Sequence, residues 1–194
     1  RFGCWFGNHL IADHPKIKDQ LATRVSRDKI TMIAYGGKEV LSADADVLKK
    51  YDLEQDKYAV IIARAEPENS ILEAVQAFSQ KKRDAKLVVL GNYSPDENPY
   101  HKLVKEAASD EVIFVGAIYD TKAVGALRFF SRFYIHGHQV GGTNPSLVEQ
   151  LGVGGAVLAH ENPFNRWVAA DRAVYFDSVV TASKEMDALF ANEE

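Results

Sequence analysis

Sulfur is scarce in this chain, and positive charge is not in excess. The only cysteine among the 194 residues is Cys4, so neither an internal disulfide nor a thiolate metal site is expected. Such cysteine usage is typical of a reducing compartment and predicts a cytoplasmic protein. The formal net charge of −4 lacks the basic surplus of a nucleic-acid-binding domain, so no nucleic-acid partner is expected.

Long apolar runs and several catalytic motifs are also missing from the sequence. No apolar run approaches the roughly 20 residues that span a bilayer. No P-loop motif, G-x-x-x-x-G-K-[ST], occurs, which excludes that class of nucleotide hydrolase. ARAEPEN follows the apolar run at 58–63 where a dinucleotide-dependent oxidoreductase has G-x-G-x-x-G, so that class is not expected. No serine lies in a nucleophile elbow, and Cys4 has no partners for covalent catalysis.

Short apolar runs alternate with helical patterns from about residue 55 onwards. The runs lie at 58–63, 87–91, 112–116, 133–136, 156–159 and 173–176, and the clearest helical patterns at 70–82, 99–109 and 121–132. Continuous apolar strands joined by helices indicate a parallel sheet that is covered on both faces. We therefore predict an α/β fold with a doubly wound parallel sheet of about six strands, whose ligand crevice lies at the carboxyl ends of the strands.

The first part of the chain forms a separate pattern. Residues 1–35 predict a short βαβ fragment, with its second strand at 30–35, and we expect this fragment to be the end of a preceding domain. Residues 36–56 are polar and acidic and are predicted to connect it to the main domain, residues 57–194. Because the chain begins at Arg1 rather than at a methionine, we expect it to be a piece of a longer protein.

The most informative stretch is FYIHGHQVGGTNPSLVEQLGVGGAVLAHEN, residues 133–162. It predicts an apolar strand, a glycine turn at Gly141 and Gly142, a short helix and a second strand. Asn144 is a preferred N-cap and Pro145 is tolerated at the first helical position, so the helix opens directly from the turn. Unpaired N–H groups at such a helix start favour a phosphate. Glu149, one turn later, can accept hydrogen bonds from sugar hydroxyls, so we expect a nucleotide-type ligand.

The order of these motifs carries a family resemblance. ADHPKIKDQL, ITMIAYGG, YAVIIARAEPEN, LVVLGN, IFVGAIYD and the GGTNPSLVEQLGVGG loop follow one another as in glycosyltransferase family 4. In that family two Rossmann-like domains face each other in the GT-B fold, and the C-terminal one holds the nucleotide-sugar donor. The resemblance covers nearly the whole chain. ARAEPEN and HGHQVGGTNPSLVEQ look closest to bacterial rhamnosyltransferases that build surface polysaccharides.

The resemblance implies roles for particular residues, with two gaps. Arg64 matches the arginine that contacts the donor pyrophosphate, a role that suits a guanidinium. Asn69 stands where the family usually has a lysine. Glu149 matches the second glutamate of the E-x7-E motif, which holds the ribose, whereas the first would fall at Gly141 and is absent. His138 lies just upstream and offers a further hydrogen-bond donor to the diphosphate or the sugar.

The expected site therefore has a catalytic part and a donor-binding part. Arg64 and His138 are the expected catalytic residues, and donor binding is assigned to Arg64, Asn69, Gly141, Gly142, Thr143, Asn144, Ser146 and Glu149. His136 and His138 form an H-x-H pair without a third ligand nearby, so no metal is expected. No cofactor is expected beyond the nucleotide sugar, which is the substrate.

The resemblance implies transfer of a sugar, rhamnose from dTDP-rhamnose, to a bacterial polysaccharide acceptor. The glycan or lipid-linked acceptor would bind through the missing N-terminal domain, so this part alone is expected to be inactive. It also implies a cytoplasmic protein, with the inner face of the cell membrane as a peripheral location. Two alternatives stay open: a nucleotide-sugar epimerase of similar fold, and a non-catalytic nucleotide-binding domain, for which the absent glutamate and lysine argue. The sequence does not predict the oligomeric state.

Overall fold

The computed structural model describes residues 2–192. In chain order its helices and strands are α1 (Phe2–Phe6), β1 (Leu10–Ala12), α2 (Pro15–Ala22), β2 (Ile30–Met32), α3 (Asp46–Lys49), β3 (Tyr58–Ile62), α4 (Ile71–Ser79), β4 (Lys86–Leu90), α5 (Pro99–Glu106), β5 (Val112–Gly116), α6 (Thr121–Phe129), β6 (Phe133–His136), α7 (Pro145–Val153), β7 (Ala156–His160), α8 (Pro163–Ala169), β8 (Val174–Phe176) and α9 (Val179–Ala191). Short 3-10 turns lie at Arg27–Lys29, Pro67–Asn69 and Ala170–Arg172.

Strands β3 to β8 form one parallel sheet in the order β5-β4-β3-β6-β7-β8. The chain moves outward from β3 through β4 to β5, crosses to β6 beside β3, and then moves outward the other way. The predicted doubly wound α/β fold is therefore confirmed. The strand order reverses between β3 and β6, and in open sheets of this kind ligands bind at that reversal, outside the carboxyl ends of the strands.

Each face of this sheet carries its own apolar layer. Alternate strand residues such as Ile61 and Leu158 face one layer, which α4, α5 and α9 cover with side chains including Phe78 and Met186. The intervening residues of the same strands face the other layer, which α3, α6, α7 and α8 cover. This alternation follows from the two-residue period of a strand, and it explains why the strands are apolar along their whole length.

The N-terminal unit, residues 8–35, is the predicted βαβ fragment. Strands β1 and β2 pair in parallel to form a separate two-stranded sheet, and α2 joins them. The unit contacts the main sheet domain through the residues that follow β1. The ring of His14 packs at 5.0 Å from that of Phe164 and edge-on at 4.8 Å from that of Trp167 on α8. The hydroxyl of Thr143 donates to the carbonyl oxygen of Asp13.

The segment predicted to be a connector, residues 36–56, packs against the main domain at several places. It contains α3, whose Leu48 is buried together with Leu53 against the second apolar layer. The amide of Val40 donates to the carbonyl of Gly152 at 2.9 Å, which places residues near 40 beside α7. The segment thus packs against the helix that begins at the glycine-rich loop. The domain boundaries stay predictions.

Among residues 2–192, no helix is both long enough and apolar enough to cross a membrane.

Candidate functional site

A cavity of about 650 Å³ opens at the carboxyl ends of β3 and β4, next to the start of α7. Its walls come from the turns after β3 and β4, the loop after β5, and helices α6 and α7. The polar and apolar lining includes Ile62, Arg64, Asn92, Ile118, Tyr119, Arg128, Asn144, Ser146 and Glu149. Four predicted site residues, Arg64, Asn144, Ser146 and Glu149, therefore lie around one cavity.

The start of α7 forms as predicted, with Asn144 as N-cap and Pro145 in the first turn. The Asn144 side chain accepts a hydrogen bond from the amide of Ser146 at 3.0 Å, and its carbonyl accepts from the amides of Leu147 and Val148. The expectation of several unpaired N–H groups in this turn is therefore wrong for these three amides, because the cap residue satisfies them. The positive end of the α7 dipole still lies at the cavity wall.

Arg128, a residue that the sequence analysis missed, lies beneath this turn. Its side chain is 3% exposed. One guanidinium nitrogen donates to the Ser146 carbonyl at 3.1 Å, and the other donates to the Ser146 hydroxyl at 2.7 Å and to Glu149 Oε2 at 3.1 Å. The guanidinium also lies over the ring of Tyr134, 4.8 Å from its centroid. A charged residue inside the apolar run ALRFF at 126–130 is the one sequence signal that points to it.

The turn after β3 positions Arg64 at the cavity. Arg64 is exposed, and the side-chain Nδ2 of Asn69 donates to the backbone carbonyl of Arg64 at 2.9 Å. Asn69 itself is buried. Its side chain supports the turn and is not among the residues that line the cavity, because the amide group is used to close the turn. Its assignment to the donor stays a prediction.

His138 lies near Arg64 and is mostly buried, and it is not among the residues that line the cavity. Burial, together with the positive charge of Arg64, lowers the pKa of His138 to about 4. At neutral pH its imidazole is therefore uncharged, and it can donate a hydrogen bond but contributes no positive charge. Asn162 and Asn165 each donate to the His138 carbonyl at 2.9 Å, which fixes the backbone at this point.

The two histidines of the H-x-H pair stack face to face. Their ring centroids are 4.4 Å apart and the planes differ by 11°. His136 is fully buried, its Nδ1 lies 3.2 Å from the Tyr134 hydroxyl, and burial holds its pKa well below the usual range. Within the described part of the chain, no three histidine, cysteine or acidic side chains come together in the manner of a metal site.

The glycine-rich loop itself turns towards the N-terminal unit. Gly141 is exposed and has a φ of +144°, a conformation that L side chains rarely adopt. A Cβ on Gly142 would collide with the carboxylate of Asp13. Thr143 is buried and donates to the Asp13 carbonyl. Gly142 and Thr143 thus pack on the segment that follows β1, Gly141 stays exposed, and none of the three is among the residues that line the cavity. Their assignment to the donor stays a prediction.

A comparison with protein-family models assigns the chain to a family. The family model described as glycosyl transferases group 1 matches residues 45–192, which is most of the chain. The chain belongs to the group 1 glycosyl transferases. The predicted family is thus confirmed at the level of a group 1, GT-B-type glycosyltransferase domain, whereas the finer likeness to rhamnosyltransferases stays a proposal.

Solved structures of low sequence identity share the fold of this glycosyltransferase domain. A glycosyltransferase from Rickettsia africae ESF-5 has a TM-score of 0.80 at 16% identity, over 98% of this chain and 57% of that one. Anabaena Alr3699/HepE in complex with UDP and glucose has a TM-score of 0.80 at 13% identity, over 98% and 55%. Sucrose-phosphate synthase from Thermosynechococcus elongatus has a TM-score of 0.74 at 17% identity, over 94% and 49%.

This chain spans little more than half the length of the first two of these structures. No curated protein sequence matches the chain significantly.

Proposed function

We propose that this chain is the donor-binding half of a glycosyltransferase that moves a sugar from a nucleoside diphosphate to a glycan acceptor. One observation carries the proposal. The cavity lies where the strand order reverses, with Arg64 from the turn after β3 and the start of α7 after β6 both in its wall. A guanidinium and a positive helix end around one cavity suit a diphosphate.

The proposed roles follow from position and charge. Arg64 and the α7 start would stabilise the negative charge that develops on the departing diphosphate, which is a large term in reactions of this kind. Neutral His138 would donate a hydrogen bond to the diphosphate or the sugar. Glu149, on the exposed side of α7, would accept hydrogen bonds from the free hydroxyls of the nucleoside sugar, which are the 2′ and 3′ groups in UDP and the 3′ group alone in dTDP. We propose that no metal ion is required.

The proposed donor is dTDP-rhamnose, and the proposed acceptor is a bacterial polysaccharide, free or lipid-linked, at the inner face of the membrane. Position 141 is a glycine and not a glutamate, so the donor sugar would lack one carboxylate partner. This suits a deoxysugar, which has one hydroxyl fewer. UDP and UDP-glucose, with which HepE has been crystallised, are the natural competing ligands. The acceptor would bind on a further domain outside this chain.

A non-catalytic nucleotide-binding domain is the second candidate. Asn69 stands where a lysine is usual, and its side chain is buried in the turn, which leaves one cation fewer for a departing diphosphate. The family match gives no support to the epimerase alternative. Donor hydrolysis or sugar transfer by the longer parent protein, lost on Glu149→Ala, would exclude the non-catalytic candidate. Binding without either reaction would favour it.

Calorimetry on three single variants tests the donor site, with EDTA present so that metal independence is tested too. Arg64→Ala should weaken UDP or dTDP binding by about 1.5–3 kcal/mol and leave nucleoside binding nearly unchanged, because a charge-assisted phosphate contact is lost. Glu149→Ala should weaken both ligands alike. Arg27→Ala, which removes an exposed guanidinium of the N-terminal unit, is the matched charge control and should change neither.

Absence of any binding at millimolar nucleotide would refute the donor site, and equal losses in all three variants would refute the role assignment. The donor sugar requires the longer parent protein. There dTDP-rhamnose should displace a labelled nucleotide better than UDP-glucose or GDP-mannose, and the opposite order would overturn the choice of donor.

A further inference from the structure

We propose that Arg128 is a positioning residue of the nucleotide site, which fixes the Glu149 carboxylate so that it meets the ribose hydroxyls in one orientation. The proposal rests on the proposed function, because it assumes that a nucleotide occupies the cavity. It goes beyond the roles assigned so far, since Arg128 would act through Glu149 and would not itself contact the ligand.

The first observation is the unequal exposure of the two partners. The side chain of Arg128 is 3% exposed, whereas that of Glu149 is 60% exposed. An ion pair between two exposed side chains is usually weak, because both side chains lose rotamer freedom and water screens the charges. Here the cation is already immobilised in the protein interior. Glu149 alone has to be ordered, so the pair can hold a surface carboxylate in one place.

The second observation is the set of contacts that immobilises Arg128. Its two terminal nitrogens bind both the carbonyl and the hydroxyl of Ser146, at 3.1 and 2.7 Å. The Tyr134 hydroxyl lies 2.8 Å from the same Ser146 hydroxyl, and the guanidinium lies over the Tyr134 ring. A planar guanidinium that is held at two points and on one face has a single orientation. The network therefore ties α6, β6 and the first turn of α7 together under Glu149.

The third observation concerns which carboxylate oxygen is used. The nitrogen of Arg128 binds Glu149 Oε2, and so the free lone pairs of Oε1 are available to a ligand hydroxyl.

The position of the pair is the fourth observation. Arg128 and Glu149 both line the cavity of about 650 Å³, and both also line a second cavity of about 530 Å³ beside residues 36–40. The pair thus lies between the two cavities. If the diphosphate binds at Arg64, the attached nucleoside would lie beside this pair.

A purely structural role for Arg128 makes a different prediction. If Arg128 served only to pack α6 against α7, its replacement would weaken every ligand by the same factor. If it positions Glu149, its replacement would weaken selectively those ligands that carry ribose hydroxyls. The dependence of affinity on the hydroxyls separates the two roles.

The chain contains a matched control. Arg83 is also 3% exposed, donates to the Ser183 hydroxyl at 2.7 Å, and pairs with the partly exposed Asp187 at 3.2 Å. It therefore repeats the arrangement of a buried arginine, a serine and a surface carboxylate. Arg83 lines neither of the two cavities. Arg83→Met and Arg128→Met remove the same kind of buried pair at two places, of which only one adjoins the proposed nucleotide.

The experiment compares UDP with 2′,3′-dideoxy-UDP by calorimetry on the 194-residue chain. If UDP does not bind, dTDP and its 3′-deoxy form replace this pair of ligands. In the unmodified chain, loss of the hydroxyls should weaken binding about tenfold or more, as expected for hydrogen bonds to a carboxylate. Arg128→Met should reduce this hydroxyl penalty to less than about threefold, Arg128→Lys should give an intermediate value, and Arg83→Met should keep the full penalty.

The possible results separate this inference from the function on which it rests. A full hydroxyl penalty in folded Arg128→Met and Arg128→Lys would overturn the inference and leave the nucleotide site intact. If Arg128→Met does not fold, Arg128→Lys and Ser146→Ala decide, and unreduced penalties in both refute the positioning role. Absence of nucleotide binding by the unmodified chain would refute the proposed function and the inference together. Binding of both nucleotides with equal affinity would refute the hydroxyl contact of Glu149 and the positioning role of Arg128, but not the diphosphate contact of Arg64.

Discussion

The main sheet and the N-terminal unit share one local arrangement, a parallel strand pair joined by a helix, but at very different depths. In the main sheet, β3 and β4 are five residues long, and residues such as Tyr58 and Val60 are fully buried. In the N-terminal unit, β1 and β2 are three residues long, and Ile11 between two paired neighbours is 66% exposed. The connection of strand, helix and parallel strand is the same in both regions, but only the main sheet has helices on both faces.

The difference shows how the smaller unit is held. A two-stranded sheet with one helix buries too little apolar surface to be stable alone. Its described contacts with the main domain include Asp13 with Thr143 and His14 with Phe164 and Trp167. The first of these contacts involves the loop between β6 and α7, which also leads to the proposed donor site, and the other two involve α8. The order of the small unit should thus depend on the main domain, but not the reverse.

The strongest test of this asymmetry removes one large side chain from each region. Phe78 is fully buried in the layer beneath α9. Phe78→Ala should lower the free energy of unfolding of the whole chain by about 3–5 kcal/mol, because it leaves a cavity in the main core. Ile30→Ala, at a buried position of the N-terminal unit, should leave the midpoint of urea unfolding almost unchanged.

Hydrogen exchange completes that test. Ile30→Ala should raise exchange across residues 10–32, while the amides of β3 and β6 keep their protection. If Ile30→Ala instead lowered the unfolding midpoint as far as Phe78→Ala, the two regions would be one cooperative unit and the comparison would fail.

Acid should destabilise both regions through their buried histidines, by less than the Phe78→Ala substitution and by more than the loss of one hydrogen bond. Burial lowers the pKa of three main-domain histidines, His136, His138 and His160, and of one in the N-terminal unit, His14. The unfolded chain binds protons on these groups below about pH 6.5, where the folded chain does not. The stabilisation is therefore full above that pH and is lost as the pH falls towards the folded pKa values.

Urea titrations between pH 7.5 and 4.5 measure this loss. Each such histidine contributes a slope of at most about 1.4 kcal/mol per pH unit. His138→Gln should flatten the slope for the main domain, whereas His14→Gln should change mainly the exchange of residues 10–32. His9→Gln, which replaces an exposed histidine, is the control for the substitution itself. A stability that rises on acidification through this range would contradict the assignment of burial as the cause.

The smallest expected effect concerns the hydrogen bond between the two regions. Thr143→Val removes the donor to the Asp13 carbonyl and should cost about 1 kcal/mol of docking, seen as faster exchange near residues 10–14. The urea midpoint of the main domain should stay the same. Thr121→Val, at an exposed position on α6, removes a hydroxyl without such a contact and should change neither quantity. An equal effect of the two substitutions would show that Thr143 does not hold the unit in place.

The strands of the main sheet could be predicted from the sequence because each is a continuous apolar run, and the observed bounds differ from the predicted ones by one or two residues at most. Four helices were not predicted: α8 and α9 in the main domain, and the short helices α1 and α3 before it. α8 begins at Asn162 and Pro163, the same N-cap and first-turn pair that predicted α7, so its signal was present. The signal of α9 was also present, because the residues that it packs on the core recur at helical spacing: Val179, Ala182, Met186, Leu189 and Phe190.

Only those cavity residues could be predicted whose position follows from the adjacent strand end or helix start in the sequence. Arg64 follows a strand and Glu149 follows a capped helix start, so both could be placed near the cavity. Arg128 could not, because its partners lie 18 and 21 residues further along and meet it only through the packing of α6 on α7. Thr143 was assigned to the ligand because it lies in the glycine-rich loop. Its contact is with Asp13, 130 residues away, and no local sequence pattern reveals such a contact.

The backbone at Gly141 limits how this protein can change. A glutamate at that position would restore the E-x7-E pattern on paper, but the φ of +144° strains any residue with a Cβ. A single substitution would thus deform the loop before it delivered a carboxylate to the sugar. The glycine at position 141 and the shape of this loop are coupled, so a design that restores the glutamate would have to exchange the whole glycine-rich loop together with the Asp13 segment on which Gly142 and Thr143 rest.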